Sequence, residues 1–214
     1  MSAISDYLED ALINHIFRNT DFTRPANIYV AAFTVAPSDA GGGTEVTGGA
    51  YARQAVATGA SSGWTASSGG NTDNNAVITY PTATANWGTV VAIGLFDALT
   101  VGNMLFWGFL STTKWAFTAE TTDIFTANGH ALINDDRVIL KAFGGSLPAG
   151  VSGDTVYFVV QVSGQTFKLS LTQGGAAIDI TAAGGGIVYE INVKVVNTND
   201  IFRFNTGDLD VSLL

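Results

Sequence analysis

Five glycines, two threonines and an arginine crowd into GGGTEVTGGAYARQAV, Gly41 to Val56. Such a run can cradle a phosphate, because glycine lets successive backbone N–H groups turn toward an anion. That chemistry needs a strand before the loop, a helix after it and usually a lysine. Here Gly41 follows APSDA, and TEVTGG leads into the strand-like YARQAV. The stretch therefore reads as a wide loop between two strands. Its glycines serve positive φ at the bends, and Arg53 pairs with a carboxylate or a neighbouring strand.

Other residues capable of chemistry are sparse. His15 and His130 are the two histidines, and neither has a carboxylate at metal-ligand spacing, so no metal or other cofactor is expected. His15 reads as a half-buried, hydrogen-bonded side chain and His130, in NGHALINDD, as a turn residue. The acid pairs Glu9-Asp10 and Asp135-Asp136 could serve glycoside hydrolysis only by facing one bond, and adjacent acids on a turn read as solvated surface. NTDNN (Asn71 to Asn75) and NTND (Asn197 to Asp200) carry oxygen ligands but lack the spacing of an EF-hand loop, and read as turn chemistry. No nucleophile elbow or P-loop occurs, and the chain is read as a non-enzyme. Of four tryptophans, Trp87 and Trp107 lie in apolar, strand-like sequence. Trp64, between ASSG and TASSGG, is the candidate exposed aromatic for ligand contact.

The elements that must position these residues are mostly strands. NIYVAAFTV, YARQAVAT, AVITYP, VVAIGLF, MLFWGFL, DIFRF and LDVSLL are short, β-branched or aromatic, and bounded by turn residues. In the last of these, Leu209, Val211 and Leu213 are expected to point inward. The fold class is mainly β, an antiparallel β-sandwich of jelly-roll or immunoglobulin-like type. One helix is expected over 4–18, where Ile4, Tyr7, Leu8, Ala11, Leu12, His15 and Ile16 make a single stripe. Ile13 and Phe17 fall opposite it, so the helix end is apolar nearly all round. Such an end needs two partners: either another polypeptide covers Leu12, Ile13, Ile16 and Phe17 as an assembly interface, or Phe17 folds under the following loop.

Between 119 and 192 the strands DRVILKAF, TVYFVVQV, TFKLSL and AIDIT follow one another through tight Gly-rich turns, as successive hairpins of a small one-sided sheet would. Three parts follow: an N-terminal helix over 1–20, a scaffold over 21–118 and 193–214, and an inserted β module over 119–192. The insertion is expected at a hairpin tip, with Leu105–Lys114 and Val193–Phe204 as neighbouring strands.

Composition narrows the partners. The net charge of −9, from 18 acidic and 9 basic residues without a basic cluster, argues against nucleic acid. The N-terminus lacks the basic start of a signal peptide, and no apolar run reaches membrane-spanning length. An apolar content of 47% with only 13% charged residues, and no cysteine, suits subunit packing.

SDYLEDALINHIFRNTDFTRPANIYVAAFTVAPSDAGGGTEVTGGAYARQAV, followed by ANWGTVVAIGLFDALTVGNMLFWGFLSTTK, resembles a family of tailed-bacteriophage virion proteins, described as tail-fibre or minor structural proteins. The resemblance runs over 4–118 and resumes at 193–214, and it is most specific from Tyr29 to Val56. The insertion, with GHALINDDRVIL and TFKLSLTQGGAAIDIT, itself resembles a small β module of phage fibre and adhesin-like proteins. The resemblance implies a virion building block assembled in the host cytoplasm. It would pack with itself, as a trimer or ring, and with other virion proteins, projecting the module outward. The alternative is a binding module for a host-surface glycan or receptor, using Trp64 or the loop Ser146 to Asp154.

Overall fold

The computed structural model describes residues 3–59, 63–153 and 155–213; Asp154 and the 60–62 run beside Trp64 lie outside them. The chain forms two compact units, Met1–Leu110 with Val193–Leu214, and Ser111–Asn192.

The first unit opens with β1 (Ala3–Ile4) and α1 (Asp6–Phe17), then β2 (Asn27–Val35), β3 (Thr44–Glu45), β4 (Gln54–Ala57), β5 (Asn71–Asp73), β6 (Ile78–Thr79), β7 (Gly88–Val90), β8 (Ala92–Phe96) and β9 (Met104–Phe109). Six of these strands make one sheet in the order β1-β9-β8-β2-β3, with β4 also on β2. β2 is buried continuously from Val30 to Phe33 because both of its faces are covered. Ile28, Val30 and Ala32 face one core with Ile93, Leu95 and Phe106.

That core is closed by a second layer. Residues 71–90 run antiparallel to 194–212 as an interrupted ribbon, Asn71 opposite Ser212, Ile78 opposite Phe204 and Gly88 opposite Val196. Its strands from the end of the chain are β16 (Lys194–Val196), β17 (Arg203–Phe204) and β18 (Asp210–Ser212), numbered after those of the second unit. Ile78, Tyr80, Phe202, Phe204 and Val211 pack from the ribbon onto the sheet, which makes the antiparallel sandwich. Leu209, half-buried, packs there too, but Leu213 is exposed, one residue beyond the last ribbon pair.

The other sheet face, with Phe33, Phe96, Trp107 and Phe109, is covered by α1 and the loops around it. The helix starts where Ser5 caps it, its hydroxyl accepting from Leu8 N–H at 3.2 Å. Ile4 belongs to β1, not to the helix. Leu8 is the one described helix residue that is fully buried.

The second unit contains β10 (Ser111–Ala119), β11 (Phe125–Thr126), β12 (Arg137–Ala142), β13 (Tyr157–Ser163), β14 (Thr166–Ser170) and β15 (Gly184–Ile191). They close into a six-stranded barrel in the order β10-β11-β14-β13-β12-β15, where a one-sided sheet is expected from sequence. Phe125, Val138, Leu140, Val159, Phe167, Leu169 and Val188 fill its interior. Leu171, just past β14, is exposed, and AIDIT forms no strand, although Ile180 is buried. GGGIVYEI, by contrast, is a long strand. A Cβ on Gly184 or Gly186 would collide with backbone at Leu147–Pro148 or Lys141, so these glycines permit close approach and do not mark a turn.

Leu105–Lys114 and Val193–Phe204 do not pair. β9 lies between β1 and β8, β10 pairs with β15, and β16 pairs with β7. No helix among the described residues is long and apolar enough to cross a membrane.

Candidate functional site

The Gly41 stretch begins the site. The chain enters it from β2 through Ser38–Gly41, a tight turn with hydrogen bonds in both directions, and Gly41, Gly42 and Gly43 take φ of +93°, +80° and +75°. At Gly43 a Cβ would lie 2.6 Å from Val35 O, so only glycine closes this turn. Asp6 N–H donates to Asp39 O at 3.0 Å and Trp107 Nε1 to Asp39 Oδ1 at 2.9 Å, which ties the loop to the start of α1 and to β9.

On the far side of the loop, Arg53 grips Glu45 with two parallel bonds, Nε to Oε1 at 2.9 Å and Nη2 to Oε2 at 2.7 Å. Its Nη1 donates to Ala98 O at 3.0 Å and Val101 O at 2.8 Å, and its guanidinium carbon sits 3.7 Å from the centre of the Phe96 ring. Arg53 thus fastens the loop between β8 and β9 to the sheet. Tyr51 completes the network, its hydroxyl accepting from Ala32 N–H at 2.9 Å and donating to Glu45 Oε1 at 2.8 Å. Burial raises the Tyr51 phenol well above the usual tyrosine range, and the nearby Glu45 carboxylate adds to this.

These pieces surround a cleft of about 580 Å³. Phe33, Phe96 and Met104 form its floor, and Asp6, Asp39 and Glu45 supply acidic walls. Tyr7 and Val101, which also line it, are 43% and 85% exposed. Val101 has φ of +57°, an outlier for a β-branched residue, and its carbonyl is the one held by Arg53.

A family model described as Podophage GP4 fiber I protein gp80 matches residues 3–133, more than half of the chain. The chain belongs to this family of tailed-phage fibre proteins. The match takes in α1, the whole six-stranded sheet and the cleft, crosses into β10 and β11, and ends at Ile133. The resemblance traced in the sequence stops earlier, at 118, and adds 193–214, which the family model does not reach. No curated protein matches the chain.

Within this fibre-family chain, Ile13, Ile16 and Phe17 are 55%, 68% and 78% exposed, while Leu12 is half-buried. The helix is held to the sheet by its first half and carries a free apolar end. Phe17 does not fold under the next segment; that segment is tied back by His15, whose Nδ1 accepts from Phe22 N–H at 3.3 Å. His15 is exposed, where a half-buried side chain is expected from the stripe.

Trp64 is half-buried and packs against the sandwich core. It borders an apolar pocket of about 280 Å³ with Ile28, Leu95, Phe106 and Val211, away from the acidic cleft. Among the described residues no three His, Asp or Glu side chains stand close enough to hold a metal ion.

Proposed function

We propose that this chain is a non-enzymatic structural part of the phage virion that assembles through the free end of α1. The exposure of Ile13, Ile16 and Phe17 carries the reading. Three large apolar side chains at i, i+3 and i+4 on one helix gain about 1.5–3 kcal/mol each when fully buried, and among the described residues they stand exposed. Membership of a fibre family supplies the setting, a particle built from repeated protein contacts. The chain forms a homo-oligomer, a trimer or ring, with other virion proteins as neighbours, after synthesis in the host cytoplasm. The first unit is the scaffold, and the barrel of 111–192 is an inserted module carried outward by it.

Ile13→Asp combined with Phe17→Asp tests this. The variant keeps the far-ultraviolet spectrum of the β fold, sediments as a monomer, and is missing from particles of a phage that encodes it. Normal assembly of the double variant removes the helix from the interface. Removal of 111–192 separates structure from recognition: loss of particles assigns the barrel to structure, and intact particles that no longer adsorb to the host assign it to receptor binding.

A further inference from the structure

Resting on the assembly reading above, we propose that the two ends of α1 are the two halves of one joint: the Phe17–Arg18 end of one copy seats in the acidic cleft beside the Asp6–Tyr7 end of the next. The occupant of the cleft is a second copy of this chain, bound head to tail.

The cleft asks for an apolar group followed by a cation. Its floor is Phe33, Phe96 and Met104, and its rim is Tyr7 and Val101, both exposed. Its walls carry the carboxylates of Asp6, Asp39 and Glu45, and the one lining cation, Arg53, is already committed to Glu45 and two carbonyls. Glu45 is neutralised by Arg53, so an incoming positive charge meets the carboxylates of Asp6 and Asp39, which have no cation beside them in the lining.

The helix end offers that combination in the matching order. Ile13, Ile16 and Phe17 stand free, and Arg18 follows them, exposed and with no side-chain partner among the described residues. Phe17 fits the floor and rim, and Arg18 reaches the carboxylates, for which a planar guanidinium is well shaped. A pairing of two identical helix ends would leave the cleft empty.

Strain points to the same place. Val101 holds a left-handed backbone that its branched side chain disfavours, and Arg53 keeps it there with its side chain in solvent at the cleft mouth. A strained residue retained at a rim suits a contact made by that side chain. Knob and socket lie at opposite ends of a 12-residue helix, about 18 Å apart at 1.5 Å per residue. Such a joint uses different patches on its two sides, so it closes into a ring or runs on as a filament.

The test mixes two full-length variants, Phe17→Asp with a damaged knob and Val101→Lys with a damaged socket rim, and reads mass by light scattering. Wild type forms a closed oligomer or filament, and each variant alone is a monomer. Their equimolar mixture yields a mass of two chains and no more, because one intact knob meets one intact socket. Recovery of that dimer also shows that both variants are folded; should it not appear, near-ultraviolet circular dichroism of each variant checks the fold, and folded variants that stay monomeric when mixed overturn the joint. An oligomer that survives Val101→Lys but not Phe17→Asp overturns it in favour of helix-to-helix pairing, with the assembly reading intact. A monomeric wild type, with Phe17→Asp still excluding the protein from particles, overturns the second copy as occupant and assigns the helix end to another virion protein.

Discussion

Arg53 and Glu45 form a two-bond ion pair in which only 8% of the Arg53 side chain and 24% of the Glu45 side chain are exposed. The pair joins three segments distant in sequence: the Gly-rich loop through Glu45, the start of β4 through Arg53, and the β8–β9 loop through the carbonyls of Ala98 and Val101. Removing one partner strands the other charge in a poorly hydrated site. Glu45→Ala is expected to cost about 3–5 kcal/mol, whereas Glu45→Leu with Arg53→Leu costs less than the two single changes added. Urea unfolding of the four proteins in a double-mutant cycle measures the coupling; additive losses would mean that the pair is not a unit.

Tyr51 gives a prediction in pH. Its hydroxyl fills the gap in the sheet edge between β4, which pairs with β2 up to Val30, and β3, which resumes at Phe33. Tyr51→Phe leaves the Ala32 N–H without that acceptor and is expected to cost about 1–3 kcal/mol. Burial raises the folded-state pKa of Tyr51 above its ordinary 10.0, and that of Tyr80, whose hydroxyl donates to Val30 O at 2.9 Å, as well. A raised phenol favours the folded state while it is protonated, so this stabilisation is full below about pH 10 and is lost as pH climbs above that value. Absorbance near 295 nm should show Tyr51 and Tyr80 silent until the protein unfolds. Their reversible ionisation in folded protein at pH 10 would refute the buried placement.

NTDNN, expected from sequence to be turn residues, instead supplies strand β5 at Asn71–Asp73 and is anchored by the fully buried Asn74. Its Nδ2 donates to Ala76 O at 2.8 Å and Asn205 O at 2.7 Å, and its Oδ1 accepts from Leu209 N–H at 2.8 Å. One side chain thus pins the end of the ribbon across more than a hundred residues of sequence. Asn74→Ala is expected to cost about 3 kcal/mol. Asn74→Asp turns a donor into a carboxylate facing two carbonyls, so its deficit relative to wild type should shrink as the buffer is taken from pH 7 toward pH 4, when the new group can be protonated. A deficit independent of pH would put that side chain in solvent.

What was legible in the sequence had local causes. β2 is readable because Ile28–Phe33 is an unbroken apolar and aromatic run flanked by β-branched Thr34 and Val35, and α1 because its acids and apolar residues repeat at helical spacing. The free ends at Ile13 and Phe17 follow from the same spacing. Arg53 is readable as a paired cation because the stretch lacks the context of a phosphate loop. The cleft is not readable, since Ser5–Tyr7, Asp39–Glu45, Arg53 and Phe96–Met104 meet only once the sheet is ordered β9-β8-β2. β15 is hidden for another reason. Gly184–Gly186 have the composition of a turn, and only the backbone passing against them shows that they are strand. Trp64 misleads through its neighbours: small polar residues surround it in sequence, but it packs against the sandwich core and shares an apolar pocket with Ile28, Leu95 and Val211 from other strands.

Val101 offers the sharpest separation of stability from assembly. Valine at φ of +57° is strained, and the next residue, Gly102 at +71°, cannot carry a side chain because a Cβ there would meet Asp97 Oδ1 at 2.5 Å. Asn103 N–H and its side-chain amide bind the two carboxylate oxygens of Asp97 at 2.7 and 2.8 Å, which fixes the loop from its other end. The loop cannot relax around Val101 while Arg53 holds the Val101 carbonyl. Val101→Asn accepts the left-handed backbone and should stabilise the isolated protein by about 1 kcal/mol, read as a rise in the urea midpoint without a change in slope. The same change removes the apolar tip from the cleft rim, so the oligomer should dissociate at higher protein concentration than wild type. A protein selected only for stability would not keep valine here. If Val101→Asn lowers the midpoint, the strain is absent; if it raises the midpoint and leaves self-association unchanged, the rim has no part in the contact.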